Sequence, residues 1–469
     1  MIVRPLAPIR PVDAAARLRG LGRLTWLDSA MTTADLGRYS FLAVDPFASL
    51  TVRDGVLIWN GTPVAPTGDD RPGRHALAFL RQQLQAFPVE RRTDLPPFQG
   101  GAAGYLAYEF GQLLEDLPRA AATGIAEAAL QFYDLVLSWD HARGEAWLVS
   151  TGWPEREATA RQVRAEARAE AILSQLAVAA PGPAPGAGTA ALAWRTNLGA
   201  AGFEAAVRRT IAHILAGDIF QANIAERHVA ALPDDFDAFA FYCRLRRLNP
   251  APFAAWLDHG PLKVACSSPE RFLKLVDGHV ETRPIKGTIR RSADSEDDAR
   301  LAAALLASDK DRAENVMIVD LMRSDLSRVC RPHTVAVPVL AGLESYETVH
   351  HLVSVVTGEL EAGCDGLDLI AATFPGGSIT GAPKIRAMAI IAEQEGVERG
   401  VYCGAIGYFG FEGSADFNIA IRTVTFAGGE AVVAAGCGIT ALSDPAAERR
   451  EAAVKAARLF AAFEPEAPA

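Results

Sequence analysis

Apolar and polar residues alternate with period two through ASLTVRDGVLIWNG (48–61) and LVLSWDHARGEAWLVS (135–150), each broken once by turn residues. Successive strand side chains point to opposite faces, so both stretches predict β-hairpins, with turns at Asp-Gly and at Arg-Gly-Glu. Helical spacing runs instead through RHALAFLRQQLQAF (74–87), the polar stretch 154–177 and GFEAAVRRTIAHILAGD (202–218), with Gly217 near its end. IFQANIAERHVA (219–230) alternates like a strand. Residues 296–330 read as helical through much of their length, and KIRAMAIIAEQEG (384–396) as a further helix. YCGAIGYFGF (402–411), FNIAIRTVTFAG (417–428) and EAVVAAGCGIT (430–440) read as three strands separated by glycine turns. A closing helix over 445–463 is announced by Ser443-Asp444 as cap and Pro445 at its first position. Strands and helices mixed without a regular βαβ rhythm predict an α+β fold in which antiparallel sheet carries much of the core.

The strongest interruption is AAPGPAPGAGTAA (179–191), Pro, Gly and Ala with nothing to pack. Taken alone it divides the chain into residues 1–178 and 192–469. The 469 residues are half hydrophobic, ample for one large domain or two to three ordinary ones.

Net charge is −10 with acids and bases interspersed, so no basic face points to nucleic acid. No apolar run is long enough to span a bilayer, and no signal-peptide h-region stands at the amino terminus. The six cysteines form no C-x-x-C pair and sit among apolar or small residues, which suits reduced thiols and a cytoplasmic setting.

Five features carry candidate chemistry. Asp311 and Glu314 share one helix face, and Glu448 and Glu451 repeat that spacing on the closing helix. Together the two pairs can hold a hard divalent cation such as Mg²⁺. Equally, Glu451 and Lys455 suit an ordinary solvated i,i+4 pair. FPGGSITGAPKIRAM (374–388) resembles a phosphate loop but fails its pattern, since Ala382-Pro383 separates Gly381 from Lys384. Its glycines, the helix start near Pro383 and Lys384 suggest an anion site, against the alternative of a glycine-rich turn feeding a helix. AGCGIT (435–440) offers a close backbone approach at Gly436 and Gly438, or a bulge. His350 and His351 should face opposite sides of one strand, and either is structural or polarises a hydroxyl. Last, Lys286 in RPIKGTIRR (283–291) is either another solvated cation or a nucleophile whose amine is freed by burial, with Glu270 in SSPERF as base.

GDIFQANIAER, SSPERFL, RPIKGTIRR, DRAENVMIVDLMRSDL, HHLVS, FPGGSITGAPKIRAM, VYCGAIGYFGF, DFNIAIRT and AGCGIT follow one another across residues 217–455. In this order they closely resemble the chorismate-utilising enzymes. TWLDSAM and GRYSFLAVDP resemble that family's amino-terminal region more weakly. The resemblance implies a large α/β/α sandwich on two mainly antiparallel sheets, helices outside, with amino- and carboxy-terminal halves interleaved. It makes 1–178 the family's amino-terminal segment, with a possible tryptophan-type pocket, 179–191 a surface loop and 192–463 the chorismate-binding region.

By the same resemblance, Mg²⁺ is held by Glu314 and Glu451 with Asp311 and Glu448 close by. Tyr402, Arg422 and the backbone at Gly436, Cys437 and Gly438 grip the enolpyruvyl carboxylate. His351 lies near the departing C4 hydroxyl. Thr288, the loop Ser378, Thr380, Gly381 and Lys384, and Lys455 line the pocket. Lysine at 286 resembles the aminodeoxychorismate synthases, whereas anthranilate, isochorismate and salicylate synthases carry alanine. The implied reaction has Lys286 add at C2 as the C4 hydroxyl leaves, Glu270 act as acid/base, and ammonia attack C4 and expel the lysine. No glutaminase elbow occurs, so a separate glutamine amidotransferase is implied as the ammonia source. The alternatives are an anthranilate synthase component I, or a non-catalytic subunit binding chorismate or tryptophan. Ser324 and Leu442 depart from residues the family often carries beside its metal-site segments.

Overall fold

The computed structural model describes residues 1–465 apart from 33–35, 67–70, 180–181, 183–185 and 347–348. Most of the Pro/Gly/Ala core of the 179–191 segment therefore lies outside the described residues. Its end is anchored: Ala190 N–H donates to the Phe463 carbonyl (2.8 Å).

Both predicted hairpins form. Ala48–Arg53 pairs with Val56–Trp59, and Leu135–Asp140 with Glu145–Ser150. In the first, Asp54 (φ +53°) and Gly55 (φ +74°) both adopt the left-handed conformation that a tight two-residue hairpin turn demands. The closing helix runs Pro445–Ala461, and the Asp444 carboxylate accepts the Ala447 N–H at its start.

The strands assemble into two sheets of twelve, paired antiparallel throughout the described strands. Each sheet draws on both halves of the chain. Thr25–Asp28 pairs with Phe253–Asp258 in the first sheet, and Gly101–Leu106 with Ala405–Gly410 in the second. The inner faces meet in apolar clusters such as Phe41, Phe98 and Tyr408, whose rings pack 4.4–5.7 Å apart. Helices cover the outer faces: Ala158–Ala177, Ala238–Leu248 and Pro445–Ala461 on the first sheet, Pro72–Gln85 and Gly366–Thr373 on the second. This is the α+β sandwich with interleaved halves.

One expected strand is two. FNIAIRTVTFAG divides into Ala415–Asn418 in the second sheet and Thr423–Ala427 in the first. Alternation reports only that successive residues face opposite ways, not which sheet receives them. Between the two, backbone groups find partners elsewhere: Ile419 N–H bonds the Glu270 carbonyl and Ala420 N–H bonds Gly404. The crossing ends at Arg422, which adopts the left-handed conformation (φ +53°).

Candidate active site

A cavity of about 510 Å³ opens where the crossing segment, the ends of several strands and two helices converge. Lys286, Thr288, Glu270, His351, Ser378, Tyr402, Arg422, Gly436, Gly438 and Lys455 line it, with Asp311, Glu314, Glu448 and Glu451 along one side.

Lys286 reaches the cavity because its strand is irregular. Ile285–Arg290 pairs with Val349–Glu359, but Ile285 faces Val353 and Thr288 faces His351, so three steps on one strand oppose two on the other. The extra residue is a β-bulge, a device that re-aims a side chain. Gly287 completes it at φ +87° and lies against the Asp311 side chain, where an added Cβ would come within 3.0 Å. Lys286 makes no hydrogen bond or ion pair among the described residues. Burial lowers its pKa, Glu314 partly restores it, and Lys455 lowers it further. A lysine in that environment holds its proton less tightly than a solvated one does.

Glu270 is 4% exposed. Its carboxylate accepts the Ser378 hydroxyl (2.6 Å) and, at longer range, the Ile285 N–H (3.4 Å). Burial pushes its pKa up to about 7, with Ser378 and then Lys286 pulling the other way. His351 shares a 2.7 Å hydrogen bond with the Thr288 hydroxyl. Burial, then Arg422, depresses its pKa to about 3, so the ring is neutral. His350 faces away, bonded to Ser345 and Asp298.

The Arg422 guanidinium has no hydrogen-bond or ion-pair partner among the described residues. An unpaired guanidinium at the wall of a cavity is a ready anchor for a ligand carboxylate. Lys455 is held by Glu451 (2.8 Å) and the Gly436 carbonyl (3.1 Å).

The acidic side has the donor set for a hard cation. Cys437, Glu448 and Glu451 present ligand atoms within 4.8 Å of one another. Burial holds the Cys437 thiol near 12, leaving it protonated and unsuited to Mg²⁺. One Glu314 carboxylate oxygen is buried with no hydrogen-bond partner among the described residues and faces only the Lys310 ammonium at 3.9 Å, so a cation would satisfy it. Burial raises the Glu314 pKa. Burial acts in the same sense on Glu451, but Lys455 outweighs it and leaves that pKa lowered. Glu448 is fixed by the Ser443 hydroxyl (2.7 Å) and Asp311 by that of Ser308 (2.5 Å).

Four expected site residues stand outside the cavity lining. Lys384 does not face an anion: Asp325 (2.5 Å) and the Thr373 carbonyl (2.6 Å) consume its ammonium. Thr380 donates to the Gly376 carbonyl (2.9 Å). Gly381 pairs with Ala222, and a Cβ there would lie 2.1 Å from the Gln221 carbonyl. The glycines of FPGGSITGAPK serve close packing rather than an anion cradle. A Cβ on Gly376 would meet Ile419 at 2.5 Å, and one on Gly377 would meet Leu321 at 2.9 Å. The Cys437 side chain alternates away from the cavity, toward the closing helix. Leu442 is 85% exposed, and Ser324 is exposed too.

Three lining residues had no sequence signal. Lys310 lies between Glu314 (3.9 Å) and Glu448 (3.8 Å), yet reads in DKDRAE as part of a solvated charge run. Asn223 and Asn249 sit in stretches where nothing distinguishes them from structural polar residues.

Among the described residues no helix is long and apolar enough to cross a membrane. A family model described as chorismate binding enzyme matches residues 30–461. Aminodeoxychorismate synthase component 1 of Salmonella typhimurium is 39% identical over 461 residues, covering 97% of this chain and 96% of that protein. Anthranilate synthase component 1 of Streptomyces coelicolor is 41% identical over 470 residues, covering 97% and 86%. The crystal structure of anthranilate synthase component I from Streptococcus pneumoniae TIGR4 superposes with a TM-score of 0.77 at 31% identity, covering 91% of this chain and 92% of that one. Sequence over nearly the whole length and fold agree: the chain belongs to the chorismate binding enzymes, a family of chorismate-utilising catalysts.

Proposed function

We propose that this protein is the synthase component of an aminodeoxychorismate synthase, converting chorismate and ammonia to 4-amino-4-deoxychorismate. The observation that carries the reading is Lys286: an unpaired amine, its pKa lowered by burial, in one cavity with a carboxyl poised near neutrality. Relatives at 35–39% identity bear the name aminodeoxychorismate synthase component 1.

Lys286 Nζ attacks C2 of chorismate while both conjugated ring double bonds shift, to C1=C6 and C4=C5, and the C4–O bond breaks. Glu270, half-protonated near pH 7, gives its proton to the departing hydroxyl, which leaves as water. Neutral His351, steadied by Thr288, lies beside that hydroxyl. Ammonia then adds at C4, both double bonds shift back to C5=C6 and C1=C2, and the C2–N bond to Lys286 breaks. Glu270 takes up the proton that the new ammonium group releases. Two displacements replace one difficult substitution. Arg422, Tyr402 and the Gly436–Gly438 backbone receive the enolpyruvyl carboxylate. Glu314 and Glu451, with Glu448 and Asp311 beside them, would hold Mg²⁺, which when bound neutralises the ring carboxylate. The name component 1 on the relatives fits ammonia supplied by a separate glutamine amidotransferase.

The second reading is anthranilate synthase component I, favoured by the 41% identity to the Streptomyces coelicolor protein of that name. Purified protein with chorismate, Mg²⁺ and ammonium is expected to yield 4-amino-4-deoxychorismate, and direct formation of anthranilate sinks the proposal. Lys286→Ala separates the two readings: loss of activity or a switch in regiochemistry for the first, activity largely retained for the second.

A further inference from the structure

Behind the cavity, outside its lining, lies a buried charge that the reaction does not use. Arg399 is 6% exposed. Its guanidinium forms a two-pronged pair with Glu395 (2.6 and 2.9 Å), at the end of the helix Lys384–Glu395. The ring of Tyr108 lies 4.5 Å from the guanidinium carbon. A buried ion pair is costly unless its remaining donors are satisfied. Here they go to two backbone carbonyls, Asn223 (2.7 Å) and Ile379 (3.0 Å).

Those carbonyls belong to two different walls of the cavity. Asn223 lies on the strand Gln221–Ala231, directly opposite Gly438 in register. Ile379 ends the short turn Gly377–Ile379, whose Ser378 holds Glu270. Glu395 reinforces the first wall by accepting the Ala225 N–H (2.8 Å). The arginine is itself anchored from the amino-terminal half, because Glu109 accepts the N–H groups of Arg399 (2.7 Å) and Gly400 (3.0 Å).

We infer that Arg399 is a positioning residue: by gripping the Asn223 and Ile379 carbonyls on one rigid fork, it fixes the Gly438 wall relative to the Ser378 turn, and through Ser378 the place of Glu270. The inference rests on the proposed reaction, in which Glu270 moves the proton. A guanidinium suits this task because its donors diverge in a fixed plane. A lysine keeps the charge but offers one flexible point, so it can stay paired with Glu395 and lose a carbonyl.

The test is Arg399→Lys beside Ser378→Ala and the double variant, in the full-length protein well below its melting transition. Chorismate consumption is the readout. Misplacement of an acid/base group by about 1 Å predicts a kcat loss on the order of 10- to 100-fold. The KM for chorismate should stay within about threefold, since binding contacts remain. Because both residues act through one contact, the double variant should lose only about as much as the worse single variant, well short of the product of the two losses. Wild-type kcat per folded molecule in Arg399→Lys, or fully multiplicative losses in the double variant, overturns the inference. Should Arg399→Lys fail to fold, Glu395→Gln loosens the same fork isosterically, and an unchanged kcat there overturns it equally. Consumption of chorismate by the wild type to a different product would count against the proposed function alone, because this readout is independent of product.

Discussion

The Lys286 amine nitrogen lies 3.1 Å from the point that a Cβ on Gly438 would occupy. The two residues come from different sheets, one in a bulge and the other near the end of the strand Glu430–Ile439. Gly438 is therefore glycine for clearance. The same Cβ would also meet the Gln221 amide nitrogen at 2.3 Å. Gly438→Ala should displace Lys286 and lower kcat at least tenfold while the fold survives, since a misplaced reacting group costs about that much or more. Steady-state kinetics beside circular dichroism check this, and wild-type turnover in the variant would refute the clearance argument.

Ser378 donates to Glu270 and so favours its charged form. Removing the donor in Ser378→Ala should raise the Glu270 pKa further above about 7, by roughly one unit for one lost charge-assisted bond. In the pH dependence of kcat/KM, the limb set by Glu270 should move to higher pH. A limb that stays in place would mean Glu270 does not set it.

Glu270 also makes stability depend on pH. Its folded pKa, about 7, stands above the ordinary 4.5, so the folded state binds the proton more tightly than the unfolded chain. Stability is then greatest below pH 4.5 as far as this group is concerned, and falls as pH rises to about 7. Glu270→Gln removes the buried charge. At pH 8 the variant should be inactive yet more stable than wild type, by on the order of 2–3 kcal/mol, with the gain absent at pH 4.5. Urea denaturation at the two pH values measures the difference.

Lys310 stands between Glu314 and Glu448 at 3.9 and 3.8 Å, where its ammonium competes with any divalent cation. Lys310→Met should tighten Mg²⁺ binding by at least about tenfold, the order expected for removing one half-exposed charge beside a divalent ion at a dielectric near that of water. Glu314→Gln should weaken binding by a similar factor or more. Calorimetric titration with Mg²⁺ reads both, and equal affinity in all three proteins would place the ion elsewhere.

Much of this was legible in the chain. Period-two alternation at 48–61 and 135–150 predicts hairpins that form, because one face of each strand is buried and register is then forced. The acids at 311, 314, 448 and 451 reach one cavity, as their helical spacing allows. Lys384 was misread for a physical reason. A lysine after a glycine-rich loop looks like an anion ligand until Asp325, 59 residues away, is seen to hold it. FNIAIRTVTFAG was misread because alternation is blind to which sheet a strand joins.

Local order decided the rest of what could be known without a fold: strand and helix positions, the cap at Asp444, and a set of residue types in family order. The chain alone therefore determines which side chains are available for chemistry. What it cannot carry is adjacency between residues far apart in sequence, because backbone pairing and burial are set by the whole assembly. Only the tertiary structure brings a bulge to bear on Lys286, opens the space over Gly438, and buries Glu270 against Ser378 so that its proton becomes mobile near pH 7. Burial takes the lysine among arginines out of solvent and lowers its pKa, which no local pattern of residues could have shown.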